Sequence, residues 1–491
     1  MRMLLYGWRN FEISVSSMKN YFVVIFLFVS VLVKSQDSNY WLSQVGNTSA
    51  LLGGAAINGT FDNSGIFYNP GSLAFVENTG ISLSGNAFYF NVYNIINGAG
   101  DGLDLKTTGL TGAPSLISGV IKNKKNPDFS ITYAIINMDL NTTLFTVENN
   151  MQHDVINSNP GNEYYSGVYK YQNRYREDWV GGGLGQKFFD SKFGIGISMF
   201  VAMRSQDYLN NASAQVFKGV PDFDSPMASH TYYEDFVFRN IGLIWKVGVN
   251  YQYNNFRIGF TMTTPKATVP ALNSKLIRNE YVDIPSQDII AYRAVYHEKI
   301  KGIHRTPWMF DFGASFIREK HMIYVRMMAA TRVKAYSMLK LDTGNSEYLN
   351  VPNAGDPYRI MQSASRPVVN VSMGYYLKMK ENLSLLAGFR TDFNSYDEKK
   401  LPRELNYVPS ISNLNLYHLS AGTVWNEKKY LLTVGFTYSM GFSHGDFQQI
   451  NLTSPSDETL LFGIPDNSTI TRFNQLGFHF GFTYLFSLID R

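Results

Sequence analysis

Residues 472–487 alternate between large apolar and small or polar side chains. The large side chains are Leu476, Phe478, Phe480, Phe482, Tyr484 and Phe486, and the residues between them include Gln475, Gly477, His479, Gly481 and Thr483. Successive side chains of a strand point to opposite faces, so one face of this strand is apolar and the other is polar. Runs of this kind recur about a dozen times, which predicts a closed barrel with lipid outside and a polar lumen inside.

Short and long connections alternate between these runs. Six short turns are expected at 138–141, 190–192, 253–255, 318–320, 380–382 and 426–428. Seven long connections, rich in Asn, Asp, Ser, Pro and Gly, are expected at 94–126, 150–163, 209–230, 266–304, 335–365, 395–412 and 443–470. This arrangement predicts an all-β, transmembrane antiparallel barrel of about 14 strands over residues 80–491, with short turns in the periplasm and long loops outside. The pattern also allows a count of about twelve or sixteen strands.

The N-terminus has the layout of an export signal. Lys19 precedes an apolar run that extends from Tyr21 to Val33. This run is short for a membrane helix and suits a signal peptide over residues 1–35, with cleavage near Gln36. Met18 is a possible true start, and a single membrane anchor is the alternative. No other window is long and apolar enough for a membrane helix, so the sequence predicts export to the outer membrane of a Gram-negative bacterium.

The bulk composition narrows the functional classes. Aromatic residues make up 15% of the 491-residue chain and charged residues 17%, a balance that suits aromatic girdles on a barrel. A net charge of +4 gives no reason to expect a nucleic-acid partner. Because the chain has no Cys, disulfides, thiolate metal sites and a cysteine nucleophile are excluded.

Residues 36–79 precede the first alternating run and are irregular. An irregular backbone cannot lie unpaired in hydrocarbon, but it can lie inside a lumen and bond to polar wall residues. A barrel of about 14 strands leaves room for such an internal plug. We therefore expect an N-terminal plug, or hatch, that fills the lumen.

Two motifs in this segment resemble the long-chain fatty acid transporter family of the outer membrane. They are Leu-Gly-Gly-Ala at 52–55 and Ile-Phe-Tyr-Asn-Pro-Gly-Ser-Leu-Ala at 66–74, with Asp62 between them. The family has a second Asp where this chain has Asn63, and Ala where it has Gly71. The resemblance implies a monomeric barrel of fourteen strands with an N-terminal hatch that carries hydrophobic molecules inward. Other members of the superfamily serve as non-transporting partners in secretion or assembly machines.

The candidate hatch residues each have a functional and a structural interpretation. They are Gly53, Gly54, Asp62, Asn63, Tyr68, Asn69 and Pro70. Asp62 and Asn63 could form a latch to lumen charges, or a turn or cap that satisfies local amides, which is the interpretation we favour. For Asn69 and Pro70, a chain reversal is favoured over ligand contact.

Strand parity places a second set of polar residues in the lumen. The set is Arg257, Asp311, Arg326, Arg390, Asp392, His418 and His479. A charge is solvated in the lumen, whereas Arg or Lys on the lipid face would cost about 2–4 kcal/mol. A salt-bridge network that stiffens the wall is the favoured interpretation, and a guanidinium that binds a ligand carboxylate is the alternative. The two histidines lack a third ligand at suitable spacing, so no metal is expected.

Apolar residues also occur in the long connections. They are Val216, Phe217, Val220, Phe223 and Met227 in one connection and Ile289, Ile290 and Tyr292 in another. Exposed apolar patches mark binding sites. The residues could form an outer groove for ligand, a docking face for a protein partner, or contacts between loops.

Enzyme functions find no support in the motifs. The sequence lacks a Gly-x-Ser-x-Gly elbow, a P-loop and a His-Glu-x-x-His motif. The leading hypothesis is passive outer-membrane transport of long-chain fatty acids or other hydrophobic small molecules, without a cofactor. The alternative is a non-transporting barrel that acts as an adaptor or scaffold in an outer-membrane secretion or assembly complex.

Overall fold

The computed structural model describes most of the chain after the predicted export signal. The described residues are 39–59, 62–77, 79–123, 125–189, 192–219, 225–269, 272–339, 341, 346–349, 361–400, 414–427 and 429–486. The predicted signal peptide, residues 1–35, lies outside them, as do Val220 and Phe223.

Strands make up most of the described structure. They are β1 Thr79–Ile96, β2 Leu105–Asn123, β3 Asn126–His153, β4 Glu163–Phe188, β5 Phe193–Phe217, β6 Ala228–Tyr253, β7 Phe256–Thr263, β8 Ala267–Val269, β9 Leu272–Ile284, β10 Ile289–Lys301, β11 Met309–Arg318, β12 His321–Ala330, β13 Val333–Ser337, β14 Ser346–Leu349, β15 Gln362–Ser365, β16 Val368–Lys378, β17 Leu383–Asp392, β18 Leu416–Asn426, β19 Tyr430–Asp446 and β20 Thr469–Phe486.

Helical structure within the described ranges is short. Two α-helices, α1 Thr48–Leu51 and α2 Gly65–Tyr68, precede the first strand. The 3₁₀ turns are Pro70–Phe75, Pro285–Gln287, Glu398–Lys400 and Asp457–Thr459. No described helix has the length and hydropathy needed to cross a membrane.

Fourteen antiparallel strands close into a ring. Neighbours along the chain pair from β1 to β7, then β7 pairs with β11, β11 with β12, and β12 with β16. Strands β16 to β20 continue the order, and β1 pairs with β20 from Thr79↔Phe486 to Ile96↔Ile470. Because the last strand pairs with the first, the ring has no terminal edge strand. The predicted barrel of 14 strands is confirmed.

The remaining strands extend the wall beyond the ring. Strands β8 and β9 pair with the upper part of β6, β10 pairs with β9, and β14 pairs with β10. Strands β13 and β15 form a separate two-stranded sheet. The connections 266–304 and 335–365, expected from the sequence as irregular loops, therefore contain strands.

The two faces of the wall differ as the alternation predicts. On β20, Phe478 is 55% exposed and Phe480 47%, whereas the intervening His479 is 2% exposed. The same alternation between exposed apolar and buried positions occurs on β5, β12 and β16. Exposed apolar side chains thus cover the outside, where lipid is their preferred surrounding.

The first two connections were placed wrongly from the sequence. Residues 94–126, expected as a loop, contain β2, and the turn expected at 138–141 lies within β3. A bulge at Ser115 in β2 and another at Met138 in β3 each add one residue to the ladder with the neighbouring strand. An added residue reverses the parity of the outward face. The two errors cancelled, so the count of strands was right although one strand was missed and another was divided.

The apolar residues of the long connections divide between two environments. Val216 is buried in a cluster that includes Val155, Ile284 and Leu461, and Ile289 packs against it. Ile290, by contrast, is 52% exposed. Contacts between the connections thus account for part of the set.

Candidate ligand site inside the barrel

The N-terminal segment, residues 39–77, is bonded to wall strands around the ring. Its hydrogen bonds reach eleven of the fourteen strands: β1, β2, β3, β5, β6, β7, β12, β16, β17, β18 and β20. For example, Asn47 Nδ2 donates to Thr483 Oγ1 at 2.8 Å, and Asn69 Nδ2 donates to the Val249 carbonyl at 2.8 Å. The bonds of this segment therefore run to strands on all sides of the closed ring.

Glycines on the inner face of the wall make room for the segment. A Cβ added at Gly388 would lie 2.3 Å from the Gly53 nitrogen, and one added at Gly196 would lie 2.1 Å from the Pro70 oxygen. Gly248 and Gly374 face Asn69 and Leu52 in the same way. Since atoms this close cannot coexist, the wall at these points admits no side chain.

The predicted hatch residues lie in this contact. Asp62 accepts hydrogen bonds from the backbone and hydroxyl of Thr48 and from the Ser64 backbone, and Asn63 donates to the Gly80 carbonyl. These bonds of Asp62 lie within the segment, whereas the bond of Asn63 reaches the wall. Asn69 accepts from the Gly71 nitrogen and so caps the 3₁₀ turn that begins at Pro70.

Further contacts of the segment involve Tyr68, Gly53 and Gly54. The Tyr68 hydroxyl donates to Gln44 Oε1 at 2.9 Å and accepts from the Val45 nitrogen. Gly53 and Gly54 have φ of +66° and +78°, a region that residues with a Cβ seldom adopt. The chain reversal there places the Gly53 and Gly54 carbonyls against Ser372 and Arg326.

Two of the predicted lumen residues form a buried ion pair. Arg326 on β12 donates to Asp311 Oδ1 on β11 from Nε at 2.7 Å and from Nη2 at 2.6 Å. Its Nη1 donates to the Gly54 carbonyl at 3.0 Å, and its guanidinium lies 4.3 Å from the ring centre of Trp41. The pair therefore joins the wall to the N-terminal segment.

A second group of predicted residues holds the start of the segment. Arg390 Nε donates to the Trp41 carbonyl at 3.1 Å, and the Trp41 nitrogen donates to Asp392 Oδ1 at 3.1 Å. His418 Nε2 lies 3.7 Å from Asp392 Oδ2. Arg257 on β7 and His479 on β20 do not belong to this group. Among the described residues, no set of three or more His, Cys, Asp or Glu could hold a metal ion.

The inner cavity lies beside the N-terminal segment and has a volume of about 160 Å³. The segment contributes Asn39, Tyr40, Trp41 and Phe67 to its lining. The wall contributes apolar and aromatic residues, namely Met138, Tyr175, Trp179, Ile244, Met309, Met328, Met338 and Tyr396. Of the residues predicted from the sequence, Asp311 and Arg326 line it, whereas Arg257, Arg390, Asp392, His418 and His479 do not.

Charged side chains on the lining are mostly paired. Glu177 Oε1 binds Lys266 Nζ at 3.0 Å and accepts from Trp179 Nε1 at 2.9 Å. Arg204 lies 4.4 Å from the Tyr175 ring centre, and its Nη1 is 2.8 Å from His304 Nε2. Lys246 lies over the ring of Phe67. The cavity thus combines aromatic walls with buried cations.

The wall beside the cavity has an incomplete ladder. Strands β2 and β3 pair only from Leu116↔Ile136 down to Asn123↔Asn126. Residues 105–115 and 137–153, all within the described backbone, share no pairing, although β1 pairs with β2 up to Leu105 and β4 pairs with β3 up to His153. We call this stretch the β2–β3 seam. Met138, the bulged residue at its lower end, lines the inner cavity.

Sequence reasoning missed most of the cavity. Glu177 lies between Tyr175 and Trp179 on the inner face of β4, and Lys246 follows Ile244 on the inner face of β6. The signal available was an ionisable residue at an inward position between apolar inward neighbours. Which of several inward charges share one cavity depends on contacts between strands that are distant in sequence.

Comparison with solved structures finds barrels of the same design. A Pseudomonas aeruginosa FadL homologue is 13% identical, with 91% of this chain and 100% of that chain covered and a TM-score of 0.57. The chain has the FadL-type fold. The P. putida toluene transporter TodX matches at 13% identity, with 91% and 99% of the two chains covered and a TM-score of 0.53. The Ralstonia pickettii toluene transporter TbuX matches at 11% identity, with the same two coverages and a TM-score of 0.51.

The FadL-type fold confirms the barrel of fourteen strands that the resemblance of residues 52–74 implied. No protein-family model matches the sequence, and no curated protein matches it. The relationship is therefore visible in the arrangement of strands and not in overall sequence identity.

Proposed function

We propose that the chain is an outer-membrane channel for small hydrophobic molecules, with the N-terminal segment as its hatch. The observation that carries this proposal is the inner cavity, which is lined by Asn39, Tyr40, Trp41 and Phe67 of the hatch and by Met138 of the β2–β3 seam. A ligand there contacts both the hatch and the end of the seam.

The exterior supports a membrane location. Phe478, Phe312 and Met373 belong to a set of exposed apolar side chains on the outward face. Exposure of so many apolar groups to water is unfavourable by about 25 cal/mol per Å², whereas the same groups are stable in lipid. The solved channels of this fold include two named as toluene transporters.

The size of the cavity favours a compact ligand. A cavity of about 150 Å³ with apolar walls holds one benzene molecule in another protein, and the inner cavity measures about 160 Å³. One ring fits this space, whereas a long acyl chain would have to extend beyond it. A ring-sized hydrophobic molecule is therefore our first choice of substrate, and a long-chain fatty acid our second.

The mechanism follows from which groups hold the hatch. Arg326 and Arg390 bind carbonyls of the segment, while Trp41 and Phe67 present their rings to the cavity. A ligand that displaces either ring acts directly on the segment, because both rings belong to it. Passage then needs a change in the segment but no covalent step and no cofactor.

The test is uptake into a Gram-negative host that carries this chain or an empty vector. We expect faster uptake of radiolabelled toluene, supplied at low concentration, in cells that carry the chain. Labelled oleate in a parallel assay tests the fatty acid alternative. Uptake of neither compound, together with copurification of a second protein in fixed ratio from mild detergent, would instead support an adaptor subunit.

A further inference from the structure

Lys246 is a buried cation that faces the inner cavity. Its side chain lies on β6, the residue is 5% exposed, and it is part of the cavity lining. Its Nζ lies 4.2 Å from the ring centre of Phe67 and 5.9 Å from that of Trp179. Within the described part of the chain, Lys246 Nζ has no hydrogen bond and no ion pair.

The carboxylates near this amino group are bound to other cations. Asp311 is held by Arg326 through two contacts, and Glu177 is held by Lys266 at 3.0 Å. Both carboxylates line the cavity, together with four cations: Arg204, Lys246, Arg305 and Arg326. The lining therefore carries more positive than negative charge, and the carboxylate whose charge acts on Lys246, that of Asp311, is already paired with Arg326.

A buried ammonium without an anion in contact is unfavourable, because a charge removed from water needs a partner of opposite charge to compensate for its lost hydration. The faces of Phe67 and Trp179 supply part of that compensation, since the negative face of an aromatic ring attracts a cation. They do not supply an acceptor for the ammonium hydrogens. An incoming carboxylate would supply both the charge and the acceptor.

We propose that the inner cavity binds a small aromatic carboxylate, with its carboxylate on Lys246 Nζ and its ring against Phe67 and Trp179. This inference rests on the proposed channel function and specifies the substrate class. It predicts that benzoate binds more tightly than toluene, because a methyl group in place of the carboxylate leaves the ammonium without an anion in contact.

The test uses benzoate and toluene, which share a ring and differ in carboxylate against methyl. Binding of each radiolabelled compound to the purified full-length protein in detergent is measured by equilibrium dialysis. Lys246→Met removes the charge at similar length, and Lys246→Arg keeps it. Lys170→Met, at an exposed position on β4, is the matched control.

We expect Lys246→Met to weaken benzoate binding by about tenfold or more, equivalent to about 1.4 kcal/mol, and to change toluene binding less than about twofold. Lys246→Arg and Lys170→Met should bind benzoate nearly as the wild type does. Retained benzoate binding in Lys246→Met, or an equal loss for both compounds, would overturn the inference. Wild-type binding of toluene without benzoate would overturn it too but leave the channel standing. Binding of neither compound would count against the channel itself.

Discussion

The two sides of the barrel interior contact the same N-terminal segment differently. On β16 to β19, glycines such as Gly374, Gly388 and Gly435 bring the wall backbone against the segment. On β4 and β6, glycines near the short turns, Gly185 and Gly248, contact the segment in the same way. Farther from those turns, by contrast, large charged and aromatic side chains of β4 and β6, among them Trp179 and Lys246, line the inner cavity. On the function proposed above, the glycine contacts hold the segment in place, and the cavity exposes its rings to a ligand.

The largest effect should follow from adding a side chain at one of the inner glycines of β16 to β19, which we call the glycine side. Gly388→Val introduces atoms where the Gly53 nitrogen now lies within 2.3 Å of an added Cβ. Overpacking costs about 1–3 kcal/mol of stability. Displacement of the N-terminal segment away from the wall would relieve this strain. We expect increased entry of hydrophilic antibiotics and larger conductance in planar bilayers.

Gly182→Val is the matched control. Gly182 lies on the exposed outer face of β4, and an added Cβ there would be 3.4 Å from the nearest heavy atom, the Thr132 carbonyl oxygen. Conductance should remain at the wild-type value in this variant. Equal conductance in Gly388→Val and the wild type would show that the glycine side does not hold the segment.

A smaller effect is expected at the β2–β3 seam. Deletion of Met138 removes the residue that is skipped between Asn137↔Asp178 and Asp139↔Glu177, so β3 would continue in register. We expect the ladder with β2 to lengthen and toluene uptake to fall severalfold. Met138→Leu keeps the bulge and is the control. Wild-type uptake by the deletion variant would mean that ligand does not use the seam.

The smallest effect concerns the outer connections and pH. His230 bridges the Leu460 carbonyl at 2.7 Å and Glu280 Oε1 at 2.9 Å, and Arg293 also binds Glu280. Burial raises the pKa of Glu280, but the hydrogen bond from His230 and the charge of Arg293 lower it more, so the net pKa is below the usual value. The stabilisation is therefore present above the unfolded pKa of about 4.3 and is lost as pH falls through the lower folded pKa.

Hydrogen exchange at residues 460–462 measures this loss. We expect exchange to accelerate below about pH 4, measured against the unfolded-state pKa of a Glu side chain. Glu280→Gln should show fast exchange at neutral pH and little further change on acidification. Identical pH profiles in the wild type and Glu280→Gln would show that Glu280 does not stabilise the contact between His230 and Leu460.

The sequence predicts the barrel well because lipid imposes one simple rule on every wall strand, namely an apolar side chain at every second position. Phe478, Phe480 and Phe482 show it without interruption, and five of the six short turns lie where the pattern places them. The rule fails where a bulge resets it. Ser115 and Met138 reverse the outward parity of β2 and β3, and a pattern with a period of two cannot tell a reset from a turn.

The cavity was less accessible to sequence reasoning. Parity places Asp311 and Arg326 inside the barrel, but it also places Arg257 and His479 there, and only the first two line the cavity. Glu177 and Lys246 lie on β4 and β6, two strands of 26 residues each. Their proximity to Trp41 and Phe67 depends on how the N-terminal segment folds, which no strand period describes.

The central claim is that the N-terminal segment must move for a ligand to pass. Because the chain has no Cys, a double variant of Asn47→Cys and Thr483→Cys carries two thiols, at positions where Asn47 Nδ2 now lies 2.8 Å from Thr483 Oγ1. A short bis-methanethiosulfonate can join the two thiols through reducible disulfides. With the crosslink closed, we expect toluene uptake to fall to the empty-vector rate, and reduction should restore it, while each single variant transports normally. Wild-type uptake with the crosslink fully formed would contradict the claim.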